Sequence, residues 1–249
     1  MIKILHPHPA LLLNENGEKH LIISDPHIGF EERFSSSGVM IESSSRMMLD
    51  SLNYLIGKVK PDDVIILGDV KDSIDSINRT ERIEVPKFLE SLLSSVDVRI
   101  VPGNHDGGIR RLVQKDVKIE DVHGVRIGNV ALSHGHTRPP DSFAGIDRYI
   151  MGHLHPTYNR SGVALSGIPV WLILKASGKY IFGDSYDNII EIIVVPSFNR
   201  ELSGIGFTSN RGRIISPVIR MTRPNLEDAI IMTLDGDVIG NKNSVQYII

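Results

Sequence analysis

The chain has 249 residues, enough to bury a full hydrophobic core as one large domain or two small ones. Its 41% hydrophobic and 23% charged residues are an ordinary globular balance, and a net charge of −3 excludes bulk attraction to nucleic acid or an anionic membrane, leaving only a local basic patch open. The absence of cysteine excludes disulfides and thiolate metal sites, so any metal must sit on His, Asp, Glu or Asn.

The N-terminal stretch MIKILHPHPALLL lacks the long apolar run and cleavage site of a secretory signal. No stretch approaches the ~20 apolar residues that span a bilayer, so the expected location is cytoplasmic, without a membrane partner. IKILHPHPALLLNENGEKHLIIS predicts strands around an NENG turn. Val39–Val59 places Val39, Met40, Met47, Met48, Leu52, Leu55, Ile56 and Val59 at helical spacing until Pro61 stops it. A second helix, Glu81–Val96, carries Ile83, Phe88, Leu89, Leu92 and Leu93, with Pro86 marking a break or a late start.

Short aliphatic runs, each ending in polar residues, punctuate this stretch of chain. HLIIS leads into DPH, DVIIL into GD, VRIV into PGNHD, VALS into HGH, and RYIM into GHLH. Such Ile- and Val-rich runs bounded by Gly or Pro read as buried strands. After His155, GVALSGIPVWLILKASGKYIFG, NIIEIIVVPSFN and DAIIMTLDGDVIG read as strands joined by turns. The serine-rich pieces Ser35–Gly38 and Glu42–Arg46 are too short for an interdomain linker. The expectation is one α/β domain over residues 1–249, a four-layer α-β-β-α sandwich of two mixed sheets with flanking helices. The C-terminal strands within 163–249, together with those at the start of the chain, complete the second, more antiparallel sheet.

Ligands of open α/β sheets bind beyond the carboxyl ends of strands, where every polar cluster here falls. Collected, they are Asp25, His27, Asp69, Asn104, His105, Asp106, His134, His153 and His155. Hard oxygens and borderline imidazoles in this number suit two metal ions better than one. Residues i and i+2 of a strand share a face, so Asp25 with His27, and His153 with His155, can point together. Each element alone has an ordinary reading, as a turn or a hydrogen-bonded histidine. Five in this order, each behind an apolar run, do not.

The ordered set SDPH, LGD, GNHD, HGH and GHLH resembles the calcineurin-like metallophosphoesterase superfamily. Within it, SDPHIGFE, SHGHTRPP and PSFN (Pro196–Asn199) are similar to small archaeal SbcD-related phosphoesterases. The resemblance implies a binuclear centre, with manganese ahead of iron, zinc, cobalt or nickel. Asp25, His27 and His155 would hold one ion, Asn104, His134 and His153 the other, and Asp69 would bridge them. A bridging hydroxide would attack a phosphodiester of a nucleotide or single-stranded nucleic acid. His105 would face the phosphate and protonate the leaving oxygen, with Asp106 accepting its other ring proton. The glycines of VPGNHDGG would bring these groups close to the phosphate.

Other polar residues read more blandly. His6 and His8 lie outside the motifs, His123 is a turn residue, and His136 stands between a ligand-supporting and a phosphate-facing role. Arg33, Arg138 and Arg148 read as solvated, although Arg138 could fork onto phosphate, and Asp72 reads as a turn carboxylate that could reach the site. In the related repair nucleases a histidine stands where Asp72 stands here, and a DNA-capping domain follows that this chain is expected to lack. The rivals are a phosphomonoesterase, a non-catalytic scaffold of the same fold, and a mononuclear zinc amidase. The oligomeric state stays open, a homodimer included.

Overall fold

The computed structural model describes residues 1–35, 43–204 and 216–248. Val39 and Met40, predicted to open the first long helix, lie outside the described residues, as do parts of both serine-rich pieces. Six strands form the first sheet in chain order: β1 (Ile2–Ile4), β2 (Leu11–Glu15), β3 (Glu18–Ser24), β4 (Asp63–Leu67), β5 (Asp97–Val101) and β6 (Lys118–Ile119). β1 to β3 run antiparallel, and β3 to β6 parallel. The second sheet uses β7 (Val125–Ile127), β8 (Val130–Ser133), β9 (Arg148–Met151), β10 (Val170–Ser177), β11 (Ile189–Val194), β12 (Asp228–Thr233) and β13 (Val238–Asn241). Its order is β13-β12-β10-β11-β9-β8-β7, antiparallel except where β9 lies parallel to β8 and β11.

The aliphatic runs are continuous because both faces of their strands are covered. Leu21, Ile23, Val64, Ile66, Val98 and Ile100 face the long helices Ser45–Val59 and Arg79–Leu93, meeting Leu52, Leu55, Phe88 and Leu89. The alternate residues Ile22, Ile65, Leu67 and Val101 meet Leu132, Ile150, Trp171 and Ile193 between the sheets. The far face of the second sheet, including Tyr149, Leu172, Ile192 and Ile231, packs on the short helices Lys179–Phe182 and Pro217–Thr222 through Ile181, Val218 and Ile219. Three apolar seams thus separate four layers, as expected.

Three details differ from expectation. The N-terminal strands β1 and β2 extend the first sheet rather than the second, because the Asn16–Gly17 turn, both residues at positive φ, folds β2 directly onto β3. The helix Arg79–Leu93 runs through Pro86. Its start is fixed by a capping box between Asn78 and Glu81, and the packed face of Val85, Phe88, Leu89 and Leu92 outweighs a proline penalty of about 3 kcal/mol. GVALSG (Gly162–Gly167) forms turns, and the strand begins only at Val170. Among the described residues, no helix is long and apolar enough to cross a membrane.

Candidate active site

The five motif loops leave the carboxyl ends of β3, β4 and β5 in one sheet and β8 and β9 in the other. The sheets face each other, so these ends converge. Asp25, His27, Asp69 and His155 place one donor atom each within 4.8 Å of one another, and Asp69, His134 and His153 form a second such group. A single oxygen, Asp69 Oδ2, stands 3.5 Å from His27 Nε2 and 3.3 Å from His134 Nε2. Asn104 Oδ1 lies 3.1 Å from His134 Nε2, on the side of the second group. The sequence-derived ligands are therefore all brought together, in two sets that share Asp69.

The pairs Asp25/His27 and His153/His155 do point together, but not by strand pleating. All four, and Asp69, adopt positive φ between 43° and 71°. Each such residue costs on the order of 1–3 kcal/mol and persists only where the surroundings hold it. The loops are held from behind. Ser24 Oγ donates to Asp25 Oδ2 at 2.5 Å and to the Leu67 carbonyl at 2.9 Å. From the distant PSFN turn, Ser197 Oγ donates to the Asp25 carbonyl at 2.7 Å and Asn199 Nδ2 to the Pro26 carbonyl at 3.0 Å.

His105 Nε2 faces the centre, 3.8 Å from Asp69 Oδ2, and its backbone N–H donates to Asp69 Oδ1 at 2.8 Å. Its other ring nitrogen does not meet Asp106. It donates to the backbone carbonyl of Asp72. Asp106 is turned away and spent on the backbone, accepting from Val70 N at 2.9 Å and Gly103 N at 2.8 Å. The family resemblance had implied the orienting role for Asp106. The left-handed bend at Asp69 puts the Asp72 carbonyl nearer to the ring and leaves Asp106 under two strand-end loops. Gly103 is required by packing within the site itself. A Cβ on Gly103 would lie 2.1 Å from Asp69 Oδ1.

With this geometry in view, the comparisons are decisive at the level of family. Residues 19–151, more than half of the chain, match the model for calcineurin-like phosphoesterases. The chain belongs to that family. No curated protein matches the sequence. Among solved structures, the nuclease MPE of Pseudomonas putida is similar in fold, with a TM-score of 0.50 and 18% identity over 91% of this chain and 97% of that one. The phosphoesterase Yfce of E. coli covers 89% of this chain and 97% of its own at 16% identity and a TM-score of 0.42. An archaeal phosphodiesterase covers 69% and 97% at 19% identity and a TM-score of 0.36.

Membership of the family implies a metal-dependent phosphoester hydrolase, and the donor set fits divalent cations. Imidazole nitrogens converge closely: His27 Nε2 on His155 Nε2 at 3.2 Å, and His153 Nδ1 on His134 Nε2 at 3.0 Å. Lone pairs brought this near one another call for a shared cation or proton. The electrostatics agree. Burial works against ionising Asp25, yet His155 and His134 hold its carboxyl down at about 2. Burial likewise opposes ionisation of Asp69, and His134, His27 and His105 overcome it. Burial would lower His134, but Asp69 and Asp25 raise it to about 9. Burial and the neighbouring His134 push His153 down to about 3, leaving a neutral ring with a lone pair to give. His134 thus lies between the buried carboxylates of Asp69 and Asp25, whose negative charge a cation bound here would balance.

The structure ties Asp72 and Arg33 to the cluster more closely than their sequence context suggests. Asp72 Oδ1 lies 3.1 Å from His27 Nδ1, and the Arg33 guanidinium grips the same carboxylate through Nε at 2.5 Å and a second nitrogen at 2.6 Å. Arg33 is therefore paired, although its side chain stays 41% exposed. The available signal was the polar residue three after Asp69. His136 sits beside the second ligand group, its ring 5.1 Å from that of His134, and burial with the nearby His134 lowers it to about 4. His6 is tied to the Leu234 carbonyl at 2.6 Å, His8 packs on Tyr54, and Arg148 pairs with Glu191 at 3.2 Å, all outside the cluster.

Proposed function

We propose that this chain is a binuclear metal-dependent phosphodiesterase acting on phosphodiesters of nucleotides or single-stranded nucleic acid. The observation that carries the reading is the single Asp69 oxygen facing both ligand groups, with His105 aimed at the same point. Asp25, His27 and His155 would hold one divalent ion and Asn104, His134 and His153 the other, around Asp69. Bound there, two such ions supply Lewis acidity to the phosphate and lower the pKa of water to near neutrality. Carboxylate, amide and imidazole donors without thiolate favour manganese, with iron, zinc, cobalt or nickel compatible.

The protein's own share of the chemistry falls to His105. With Nδ1–H bound to the Asp72 carbonyl, its Nε2 is the atom that meets substrate, and in the imidazolium form Nε2 gives its proton to the departing oxygen and the ring returns to the Nδ1–H tautomer that the carbonyl holds. Such a group contributes about 10²–10⁴-fold. Asp106 supports the loop that carries His105 and Asn104. A diester carries one charge fewer than a monoester, which fits a centre whose tied-in guanidinium, Arg33, is already committed to Asp72. The domain, taken as one unit over residues 1–249, brings both sheets to this chemistry.

The test is hydrolysis of bis-p-nitrophenyl phosphate against p-nitrophenyl phosphate, with added Mn²⁺ and with chelator. Manganese-dependent turnover favouring the diester is expected. Preference for the monoester makes it a phosphomonoesterase, and no metal-dependent turnover of either leaves a scaffold.

A further inference from the structure

Two of the candidate ligands, His27 and His134, share one pattern: the ring nitrogen away from the centre has a protein acceptor. His27 Nδ1 lies 3.1 Å from Asp72 Oδ1, and His134 Nδ1 lies 2.9 Å from the Leu67 carbonyl. Such a partner decides which nitrogen carries the proton and which keeps its lone pair for a metal. His153 breaks the pattern. Its Nδ1 is turned to the second ligand group, 3.0 Å from His134 Nε2. A neutral ring that gives its Nδ1 lone pair carries its proton on Nε2. That nitrogen is buried and has no hydrogen-bond partner among the described residues. A buried N–H without an acceptor is unfavourable, and it leaves the ring without a second point of attachment.

An uncommitted acceptor lies on the neighbouring ring. His136 Nδ1 is likewise buried without a partner among the described residues. The His136 and His153 rings stand 6.1 Å apart between centroids at 54°, and both flank His134, at 5.1 and 4.8 Å. Gly135 folds the chain back to bring His136 there. It sits at φ 108°, and a Cβ on it would fall 2.4 Å from Met151 Cε. The His136 and His153 rings are half-buried, so they keep a freedom to turn that the fully enclosed His134 lacks.

We propose that His136 is a positioning residue for His153, its Nδ1 lone pair taking the His153 Nε2–H when the two rings turn together. One buried nitrogen needs an acceptor and the other needs a donor, so a single hydrogen bond answers both. It would hold His153 Nδ1 on the second ion as the Asp72 carboxylate holds His27 Nε2 on the first. The inference rests on the binuclear part of the reading above, and it concerns metal retention rather than turnover.

The experiment is calorimetric titration of Mn²⁺ into the full chain, stripped with chelator, without substrate. In H136L, apolar and of similar bulk, one of two binding steps is expected to weaken by about 10–100-fold while the other keeps its wild-type affinity. H136N sets an amide oxygen at the place of Nδ1 and should restore the weakened step. H136Q carries its amide to the place of Nε2 and should not. Unchanged affinity in H136L, or H136N as weak as H136L, overturns the role. Equal rescue by H136Q moves the acting atom to Nε2 and overturns it as well. Turnover of bis-p-nitrophenyl phosphate by the wild type judges the phosphodiesterase reading separately, since its absence leaves the pattern of Mn²⁺ affinities untouched.

Discussion

The Asp72 carboxylate lies 3.1 Å from His27 Nδ1, and because a carboxylate can only accept, that nitrogen carries the proton and His27 Nε2 keeps its lone pair for the centre. The same residue's carbonyl fixes the tautomer of His105. One short loop therefore orients a candidate metal ligand through its side chain and the ring of His105 through its backbone. The loop is itself anchored, since Glu81 accepts the Ser73 N–H at 2.6 Å and the Asn78 N–H at 2.9 Å.

Asp72→Ala removes the side-chain half of this arrangement and leaves the carbonyl. Loss of such a partner costs about 10–100-fold in metal affinity. Turnover at low Mn²⁺ should fall and recover as Mn²⁺ is raised, with kcat at saturation close to wild type. Calorimetric titration showing unchanged Mn²⁺ affinity would contradict this role.

His105→Ala is expected to keep both ions and lose about 10²–10⁴ in kcat, the range for a positioned acid. Elemental analysis beside steady-state kinetics reads both quantities. A variant that has lost an ion would place His105 among the ligands instead.

Metal content should separate shared from unshared ligands. Asp69→Asn should retain fewer ions than His155→Ala, because Asp69 Oδ2 faces both groups whereas His155 belongs to one. Equal metal content in the two variants would show that Asp69 is not shared.

Gly152→Ala tests the support behind Asp25. An added Cβ would fall 1.6 Å from Ser24 Oγ and 2.6 Å from Asp25 Oδ2, so the Ser24–Asp25 hydrogen bond cannot survive in place. Overpacking of this kind costs about 1–3 kcal/mol. Thermal denaturation should show a lower Tm, and chelator should remove metal from the variant at lower concentration. A wild-type Tm with wild-type metal retention would mean that the loop yields freely.

The amino-acid sequence by itself determined the strands that carry the motifs, since Leu21–Ile23, Val64–Leu67 and Val130–Leu132 are apolar runs that only a doubly covered sheet can bury. It also marked the candidate ligands, as Asp, Asn and His at five successive strand ends. Tertiary structure alone decided how these parts meet. It placed β8 and β9 in the opposite sheet from β3 to β5, so that two halves of a ligand set separated in sequence close on Asp69. It bent Asp25, His27, Asp69, His153 and His155 into left-handed conformations that no periodicity encodes. It brought Ser197 and Asn199 against a loop more than 170 residues earlier in the chain, at separations of 172 and 173 residues. And it gave His105 to the carbonyl of Asp72 rather than to its neighbour Asp106. Hydrogen-bond partners are chosen by distance in space, and a backbone carbonyl carries no mark in the sequence.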